Sequence, residues 1–211
     1  MIKVMLCDDH ALIRRGIRDT LSDASDIEVV GEAGDYGELR TLLRSATCDV
    51  LVLDINMPGR SGLDVLHVLK DENSPIKVLI VSMYPEDQYA IRALRAGAYG
   101  YVNKGGDPQI IVQAVRTVSQ GRKYVTPEIA QMLVESLTTP VPEQAHEKLS
   151  DRELQTLVMI ASGKRLSDIA EELMLSPKTV SVYRARVLEK LGLANNSELT
   201  VYAIRNGLVG S

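Results

Sequence analysis

The chain has 211 residues, of which 45% are hydrophobic and 25% charged, so it is too apolar for general disorder and has room for one large or two small domains. Its apolar runs are shorter than the roughly 20 residues that cross a bilayer, and it begins without a signal peptide, which predicts a soluble cytoplasmic protein with no membrane partner. Cys7 and Cys48 lack disulfide or metal-ligand spacing, which predicts reduced thiols. The net charge of −4 argues against a nucleic-acid partner only as an average, because residues 1–121 carry −4, residues 122–147 carry −2 and residues 148–211 carry +2.

Five short runs rich in Val, Ile and Leu alternate with helical periodicity through the first 121 residues. The runs are 2–7, 27–30, 50–53, 78–81 and 99–102. Five successive βα units predict an α/β fold, a doubly wound parallel five-stranded sheet of the flavodoxin-like kind with strand order 2-1-3-4-5. Ligands of such sheets bind beyond the carboxyl ends of the strands, where strands 1 and 3 meet.

The strand pattern stops after Gly121. Thr126-Pro127-Glu128 supplies a capping hydroxyl, a proline at the first helical position and an early acid, which predicts a helix that runs to Leu137. The segment 138–148 contains two prolines and few apolar residues, as is typical of a linker. We therefore expect a first domain over 1–121, a connector helix and linker over 122–148, and a second domain over 149–211.

From Leu149 onward the pattern is helical. Four capping residues, each followed by helical periodicity, predict helices that begin at Ser150, Ser167, Ser176 and Asn195 or its neighbour. The second and third helices are joined by a three-residue turn, which is helix-turn-helix spacing. The second domain is therefore expected to be an all-α four-helix helix-turn-helix domain.

Three carboxylates follow the first and third predicted strands: Asp8 and Asp9 after the first, and Asp54 after the third. Like charges at such short range repel strongly unless a cation balances them or their pKa values rise. Oxygen ligands suit Mg²⁺, which takes one or two carboxylates together with waters and a phosphate oxygen. Lys104 after the fifth strand and Ser82 at the end of the fourth add an ammonium and a hydroxyl at the same edge. The combination predicts a phosphoryl site.

Each group at this edge can be given a chemical role. Asp54, the central acid, is the best acceptor for a phosphoryl group and would form an aspartyl phosphate. Asp8 and Asp9 are then left to hold Mg²⁺, while Lys104 and Ser82 hold phosphoryl oxygens. Any single Asp at a strand end is more often a turn or helix cap, and the neighbouring His10 is also explained as the start of the next helix. Five such groups at one edge are much harder to explain in that way.

Several motifs of residues 1–121 occur together in one known family. They are Asp8-Asp9, Asp54 followed by Met57-Pro58-Gly59 and Gly62, Ser82, and Tyr101 three residues before Lys104. Together they resemble the receiver domain of two-component response regulators. The resemblance implies that Asp54 takes its phosphoryl group from the phosphohistidine of a sensor histidine kinase, and that Mg²⁺ is bound by Asp9, Asp54 and the backbone carbonyl of Asn56, assisted by Asp8. It also implies a switch in which Ser82 moves toward the phosphoryl group and Tyr101 turns inward, which reshapes the face around the fourth helix, fifth strand and fifth helix.

The third helix of the second domain carries a basic outward face. Segment 178–190 has four basic residues and one acidic residue, a net charge of +3. Helical geometry turns Val180, Val187 and Leu191 inward. The outward face then carries basic residues and residues with short side chains, a combination that suits entry into the major groove of DNA. We expect base contacts from Ser181, Val182 and Ala185. We expect phosphate contacts from the hydroxyl and basic residues Lys178, Thr179, Arg184, Arg186 and Lys190. On charge alone, a solvated surface helix is the alternative.

The second half resembles the LuxR-type domain of NarL/FixJ response regulators over about Leu149–Leu208. The matching elements are Leu149-Ser150-Asp151-Arg152-Glu153, Ile169-Ala170, Leu175-Ser176-Pro177-Lys178-Thr179-Val180 and Lys190-Leu191-Gly192. The Ser-Pro-Lys-Thr-Val and Tyr-Arg elements look closest to the GacA/UvrY branch. The resemblance implies a DNA-binding unit whose third helix reads the major groove and whose last helix, 197–206, supports dimerisation. Many relatives carry Lys and His where this chain has Ser181 and Tyr183.

These observations predict a phosphorylation-controlled transcription factor rather than an enzyme. The expected partners are a sensor histidine kinase, double-stranded promoter DNA and a second copy in a homodimer, and RNA polymerase is a further candidate. A haloacid dehalogenase-type phosphatase would need two Asp residues two positions apart on the first strand, and a flavodoxin-like FMN binder would not place two carboxylates beside the FMN phosphate. A receiver that acts only through protein partners stays open.

Overall fold

The computed structural model describes residues 1–84, 86–138 and 145–209, with the side chains of residues 87, 88 and 136–138 excepted. The chain divides into two compact units, Met1–Thr138 and Thr139–Ser211. This division falls inside the predicted connector 122–148, of which residues 139–144 lie outside the described residues. Both cysteines are free thiols.

The first unit contains one sheet of five parallel strands. They are β1 (Ile2–Cys7), β2 (Ile27–Ala33), β3 (Val50–Leu53), β4 (Lys77–Ser82) and β5 (Gly100–Asn103). Their order is β2-β1-β3-β4-β5, which confirms the predicted doubly wound topology. The second strand is longer than predicted, because it stays paired with β1 as far as Cys7 and Ala33.

Six helices belong to the same unit. They are α1 (Ala11–Ser22), α2 (Tyr36–Ser45), α3 (Gly62–Asp71), α4 (Glu86–Ala96), α5 (Pro108–Ser119) and α6 (Pro127–Thr138). One face of the sheet packs on α1 and α5 through a cluster of Val4, Leu6, Val52 and Val81 with apolar residues of both helices. The alternate strand residues, such as Leu51 and Ile80, are also buried and point to the opposite face. The strands are therefore covered on both sides, which explains their continuous hydrophobic runs.

The predicted connector helix packs on the first unit. Helix α6 contacts α4, and Ile129 of α6 is fully buried. Immediately before it, Tyr124 forms a parallel bridge with Gly100 of β5, and its N–H donates to the carbonyl of Tyr99 at 2.7 Å. Thr126 caps α6 as predicted and also donates from Oγ1 to Oε2 of Glu86 at 2.8 Å. The start of the connector is thus fixed to β5 and α4.

The second unit is helical. A 3₁₀ turn (Ala145–Lys148) precedes α7 (Asp151–Ala161), α8 (Leu166–Glu172), α9 (Pro177–Leu191) and α10 (Asn196–Arg205), and α7 packs against the other three helices. The predicted capping box of Ser150 and Glu153 is present. The predicted cap by Ser167 is wrong, because α8 begins at Leu166 with Arg165 in the capping position, and the Ser167 hydroxyl bonds to Asp168 instead. Among the described helices, none combines the length and apolar character that a membrane span requires.

Candidate functional site

Three aspartates lie together at the carboxyl ends of β1 and β3. Because Cys7 pairs with Leu53, Asp8 and Asp54 leave the two strands at the same edge. Asp8 is 4% exposed and Asp54 is 3% exposed, whereas Asp9 is half-buried. One ligand atom from each of Asp8, Asp9, His10 and Asp54 lies within 4.8 Å of the others. The structure therefore brings the three predicted acids together and adds an imidazole.

Lys104 and Ser82 reach this edge because β4 and β5 end side by side. Ser82 pairs with Asn103, and the N–H of Lys104 donates to the carbonyl of Ser82 at 2.8 Å. The Lys104 Nζ lies 2.7 Å from Oδ2 of Asp8 and 2.8 Å from Oδ2 of Asp54, with its side chain only 3% exposed. The buried ammonium thus pairs with two of the three carboxylates, and one positive charge does not balance the three acids.

The Asp54 carboxyl lies in surroundings that disfavour its ionised form. Burial raises its pKa to about 6; Lys104 opposes the rise, and the Asp8 carboxylate adds to it. The backbone N–H of Asn56 donates to the carboxylate and also favours the charged form. A further cation at this edge would restore the ionised carboxylate, which is the form that can act as a nucleophile.

The donor set fits Mg²⁺. This ion prefers carboxylate, carbonyl and water oxygens, and the acid cluster supplies the carboxylates at a position with unbalanced negative charge. The loop after β3 carries Asn56, whose backbone carbonyl is the expected third ligand. Coordination by Asp9, Asp54 and Asn56 with help from Asp8 stays a prediction.

Gly62 lets α3 begin directly against the loop that carries Asp54. Its N–H donates to the carbonyl of Ile55 at 2.9 Å. A Cβ at this position would lie 2.0 Å from the backbone oxygen of Asp54, so only glycine fits. Ser61 and Asp64 then form a capping box at the start of α3. The end of the Asp54 loop is therefore fixed by close backbone packing.

Tyr101 is fully buried next to the loop that follows Ser82. Its hydroxyl donates to the carbonyl of Tyr84 at 2.7 Å, and burial raises its pKa above the ordinary value. The Tyr84 ring stacks on the ring of Tyr89 in α4, with 4.7 Å between centroids. The backbone N–H of Tyr84 donates to Oγ of Ser82 at 3.3 Å. Ser82, Tyr101 and α4 are thus connected through one residue, Tyr84. The switching role of Ser82 and Tyr101 stays a prediction.

Two polar contacts at this edge were missed by sequence reasoning. Nδ1 of His10 lies 2.7 Å from Oδ1 of Asp9, so His10 does more than begin α1. Arg14 of α1 donates from Nη1 to the backbone carbonyl of Asp8. His10 was signalled by its position next to the acids. The Arg14 contact had no such signal, because a backbone carbonyl that accepts from a distant side chain leaves no pattern in the sequence.

Helix α9 presents the predicted outward face in the second unit. Ser176 caps it by accepting from the N–H of Thr179 at 3.1 Å, and Gly192 ends it with φ +66°. Val180 and Val187 are buried. Two of the predicted DNA contacts, Thr179 and Arg184, are half-buried, and the others are exposed: Lys178, Ser181, Val182, Ala185, Arg186 and Lys190.

Two of the predicted phosphate contacts already have protein partners. Nζ of Lys190 lies 2.6 Å from Oε2 of the buried Glu153. Burial alone would raise the pKa of Glu153, but Lys190 and the backbone N–H of Ser150 hold it below its ordinary value. Nε of Arg184 donates to Oδ1 of Asn196 at 2.5 Å. Lys190 and Arg184 therefore also fix α9 to α7 and α10, and their contacts with phosphate stay predictions.

Comparisons with known proteins agree with both halves of this description. Residues 4–116 match the family described as "Response regulator receiver domain", and residues 147–203 match "Bacterial regulatory proteins, luxR family". The chain belongs to the response regulators. This response regulator is 40% identical over 209 residues to UvrY of Escherichia coli, covering 99% of this chain and 96% of UvrY. It is 40% identical over 210 residues to GacA of Pseudomonas aeruginosa, covering 99% of this chain and 98% of GacA. Both relatives lie in the branch that the sequence motifs indicated.

Solved response regulators share the fold. RcsB from Salmonella enterica serovar Typhimurium, bound to promoter rprA in the presence of phosphomimetic BeF3⁻, matches with a TM-score of 0.64 and 26% identity over 95% of this response regulator and 97% of RcsB. ChrA, from a heme-sensing two-component system, matches with a TM-score of 0.53 and 32% identity over 99% of this chain and 98% of ChrA. The predicted succession of a receiver and a LuxR-type domain is confirmed.

Proposed function

We propose that Asp54 accepts a phosphoryl group in an Mg²⁺-dependent reaction, and that this modification controls dimerisation and binding to promoter DNA. The observation that carries the proposal is the buried Asp54 carboxylate held by Lys104 within a cluster of three acids. A receiver domain implies a histidine kinase as partner, so the expected donor is a phosphohistidine of that kinase.

In the transfer, an Asp54 carboxylate oxygen attacks phosphorus while the bond from phosphorus to the histidine nitrogen breaks, and the imidazole leaves with the electron pair of that bond. Lys104 lies 2.8 Å from Oδ2 of Asp54 and is positioned to pair with a phosphoryl oxygen. The Ser82 hydroxyl at the same edge can donate to a second oxygen. Bound Mg²⁺ supplies neutralisation of the charge on the transferred group.

A route for the signal runs from Ser82 to the connector. The Ser82 hydroxyl accepts from Tyr84, and Tyr84 stacks on Tyr89 of α4. Glu86 at the start of α4 accepts from Thr126, the cap of α6. Movement of Ser82 toward a phosphoryl group would therefore disturb the contacts that hold the connector. We expect the unphosphorylated receiver to restrain the DNA-reading helix or the dimerisation helix through this connector, and phosphorylation to release it.

For DNA recognition, we propose that α9 enters the major groove and that two copies bind two half-sites about 34–36 Å apart. The exposed face of α9 combines the basic Lys178 and Arg186 with the short side chains of Ser181 and Ala185. On α10, a groove of about 330 Å³ includes Val201, which is 47% exposed and gives this helix apolar surface for a second copy. RNA polymerase is a further candidate partner on the promoter.

Mass spectrometry of the full chain after incubation with a small-molecule phosphodonor and Mg²⁺ tests the chemistry. We expect one phosphoryl group on Asp54 of the wild type, and none after Asp54→Asn or after chelation of Mg²⁺. Asp71→Asn, at an exposed acid in α3, is the matched control and should be modified like the wild type. Equal modification of Asp54→Asn and wild type would contradict the proposed acceptor.

A further inference from the structure

Arg14 on α1 binds the backbone of the acid cluster rather than its carboxylates. Its Nη1 donates to the carbonyl oxygen of Asp8, and its Nε lies 3.3 Å from Oε2 of Glu32 on β2. The Arg14 side chain is only 20% exposed. The guanidinium is therefore held between β2 and the turn that carries the acids.

The backbone of Asp8 is held at both of its peptide groups. The N–H of Asp8 donates to the carbonyl of Ala33 at 3.0 Å, and the carbonyl of Asp8 is held by Arg14. Because a peptide group is planar, the direction of the Asp8 carbonyl also sets the positions of the nitrogen and Cα of Asp9. Arg14 thus helps to set where the Asp9 side chain starts.

Asp9 depends on this backbone contact more than the other acids do. Lys104 ties the carboxylates of Asp8 and Asp54 to each other at 2.7 and 2.8 Å. The Asp9 carboxylate is instead paired with His10, whose side chain is 55% exposed. The direction of the Asp9 carboxylate therefore rests largely on its backbone.

We propose that Arg14 is a positioning residue for Mg²⁺, because it orients Asp9 and thereby sets the affinity of the acid cluster for the ion. This inference rests on the function proposed above. Loss of a contact that orients a metal ligand commonly weakens metal binding by about 10–100-fold. Since Arg14 acts on one ligand among several, we expect a loss near the lower end, about tenfold.

Arg18, one turn further along α1, offers a matched control. Its Nη1 lies 3.1 Å from Oε1 of Glu32, so it shares the carboxylate that Arg14 uses. The contacts that the structure gives its guanidinium are with Glu32 and Asp19. An effect that acts through Glu32 or through the packing of α1 should appear in both Arg14→Met and Arg18→Met. An effect that acts through the Asp8 carbonyl should appear only in Arg14→Met.

Isothermal titration calorimetry of the full chain with Mg²⁺ tests this role. We expect the Kd to rise about tenfold in Arg14→Met and to stay within about twofold of the wild type in Arg18→Met. Equal Kd values in Arg14→Met and the wild type, or equal weakening in both variants, would overturn the inference while leaving the proposed function intact. An Asp9→Asn variant that binds Mg²⁺ as the wild type does would likewise overturn the inference alone, whereas a wild type that binds no Mg²⁺ would contradict both.

Arg14→Lys keeps the experiment decisive if Arg14→Met does not fold. Lysine retains one cationic donor for the Asp8 carbonyl but lacks the fork that also reaches Glu32. We expect its Kd to lie between those of the wild type and Arg14→Met, or several-fold above the wild type where only this variant folds. We also expect the backbone amide resonance of Asp9 to shift in the absence of metal. An unchanged Kd together with an unshifted Asp9 resonance would overturn the inference.

Discussion

Replacing Asp54 with Asn should stabilise the receiver at neutral pH while it removes the proposed phosphoryl acceptor. The Asp54 side chain is 3% exposed, and burial raises its pKa from 3.8 to about 6 despite the ion pair with Lys104. Asparagine has nearly the same shape but carries no charge. The Asp54→Asn variant therefore avoids the cost of burying an ionised carboxylate.

The sign and size of this effect follow from proton linkage. A pKa that is higher in the folded state means that the folded protein binds the proton more tightly. The stability supplied by the protonated Asp54 carboxyl is then fully present below pH 3.8 and is lost as the pH rises through about 6. A rise of roughly two pH units corresponds to about 3 kcal/mol, which is the upper limit for the gain from Asp54→Asn above pH 6.

Urea unfolding without Mg²⁺, followed by tyrosine fluorescence, measures this difference. Six of the eight tyrosines lie in residues 1–138, so the signal reports mainly on the receiver. The stability difference between Asp54→Asn and the wild type should grow from pH 3.8 to about pH 6 and then stay constant. The exposed Asp71→Asn control should show almost no difference at any pH. A difference that is independent of pH, or an Asp54→Asn variant that is less stable than the wild type above pH 6, would refute the reasoning.

Three further changes test other parts of the structure. Gly62→Ala should displace the Asp54 backbone, since its Cβ would lie 2.0 Å from the Asp54 oxygen; phosphoryl accumulation at the wild-type rate, measured by mass spectrometry, would contradict this. Gly100→Ala should detach Tyr124 from β5, because the new Cβ would lie 2.9 Å from the Tyr124 carbonyl oxygen. Hydrogen exchange at the Tyr124 amide should then accelerate, and unchanged protection would show that the bridge persists. Arg186→Ala should weaken binding to all DNA sequences alike and reduce the slope of log K against log salt by about 1, whereas an unchanged slope would remove Arg186 from the phosphate contacts.

The acid edge could be predicted from the sequence because its geometry follows from topology. Parallel strands end at one edge, so Asp8 after β1 and Asp54 after β3 had to lie near each other once the five apolar runs were recognised. The two faces of α9 could also be predicted, because helical periodicity places Val180 and Val187 on one face, and both are buried.

Contacts that join distant segments could not be predicted in this way. Tyr124 packs beside Gly100 because Gly100 has no Cβ and because the chain returns to this strand more than twenty residues later. The bond from Arg14 to the Asp8 carbonyl uses a backbone atom, which carries no sequence signal. The predicted cap at Ser167 failed because α8 begins at Leu166, which leaves Ser167 inside the first turn.

Control of DNA binding by phosphorylation of Asp54 can be measured by fluorescence anisotropy. A labelled promoter fragment selected from genomic DNA is titrated with the full chain, with and without phosphodonor and Mg²⁺. We predict that the phosphodonor lowers the Kd of the wild type and leaves the Kd of Asp54→Asn unchanged. An equal gain in affinity in both proteins, or no binding by the phosphorylated wild type to any fragment at low salt, would contradict the claim.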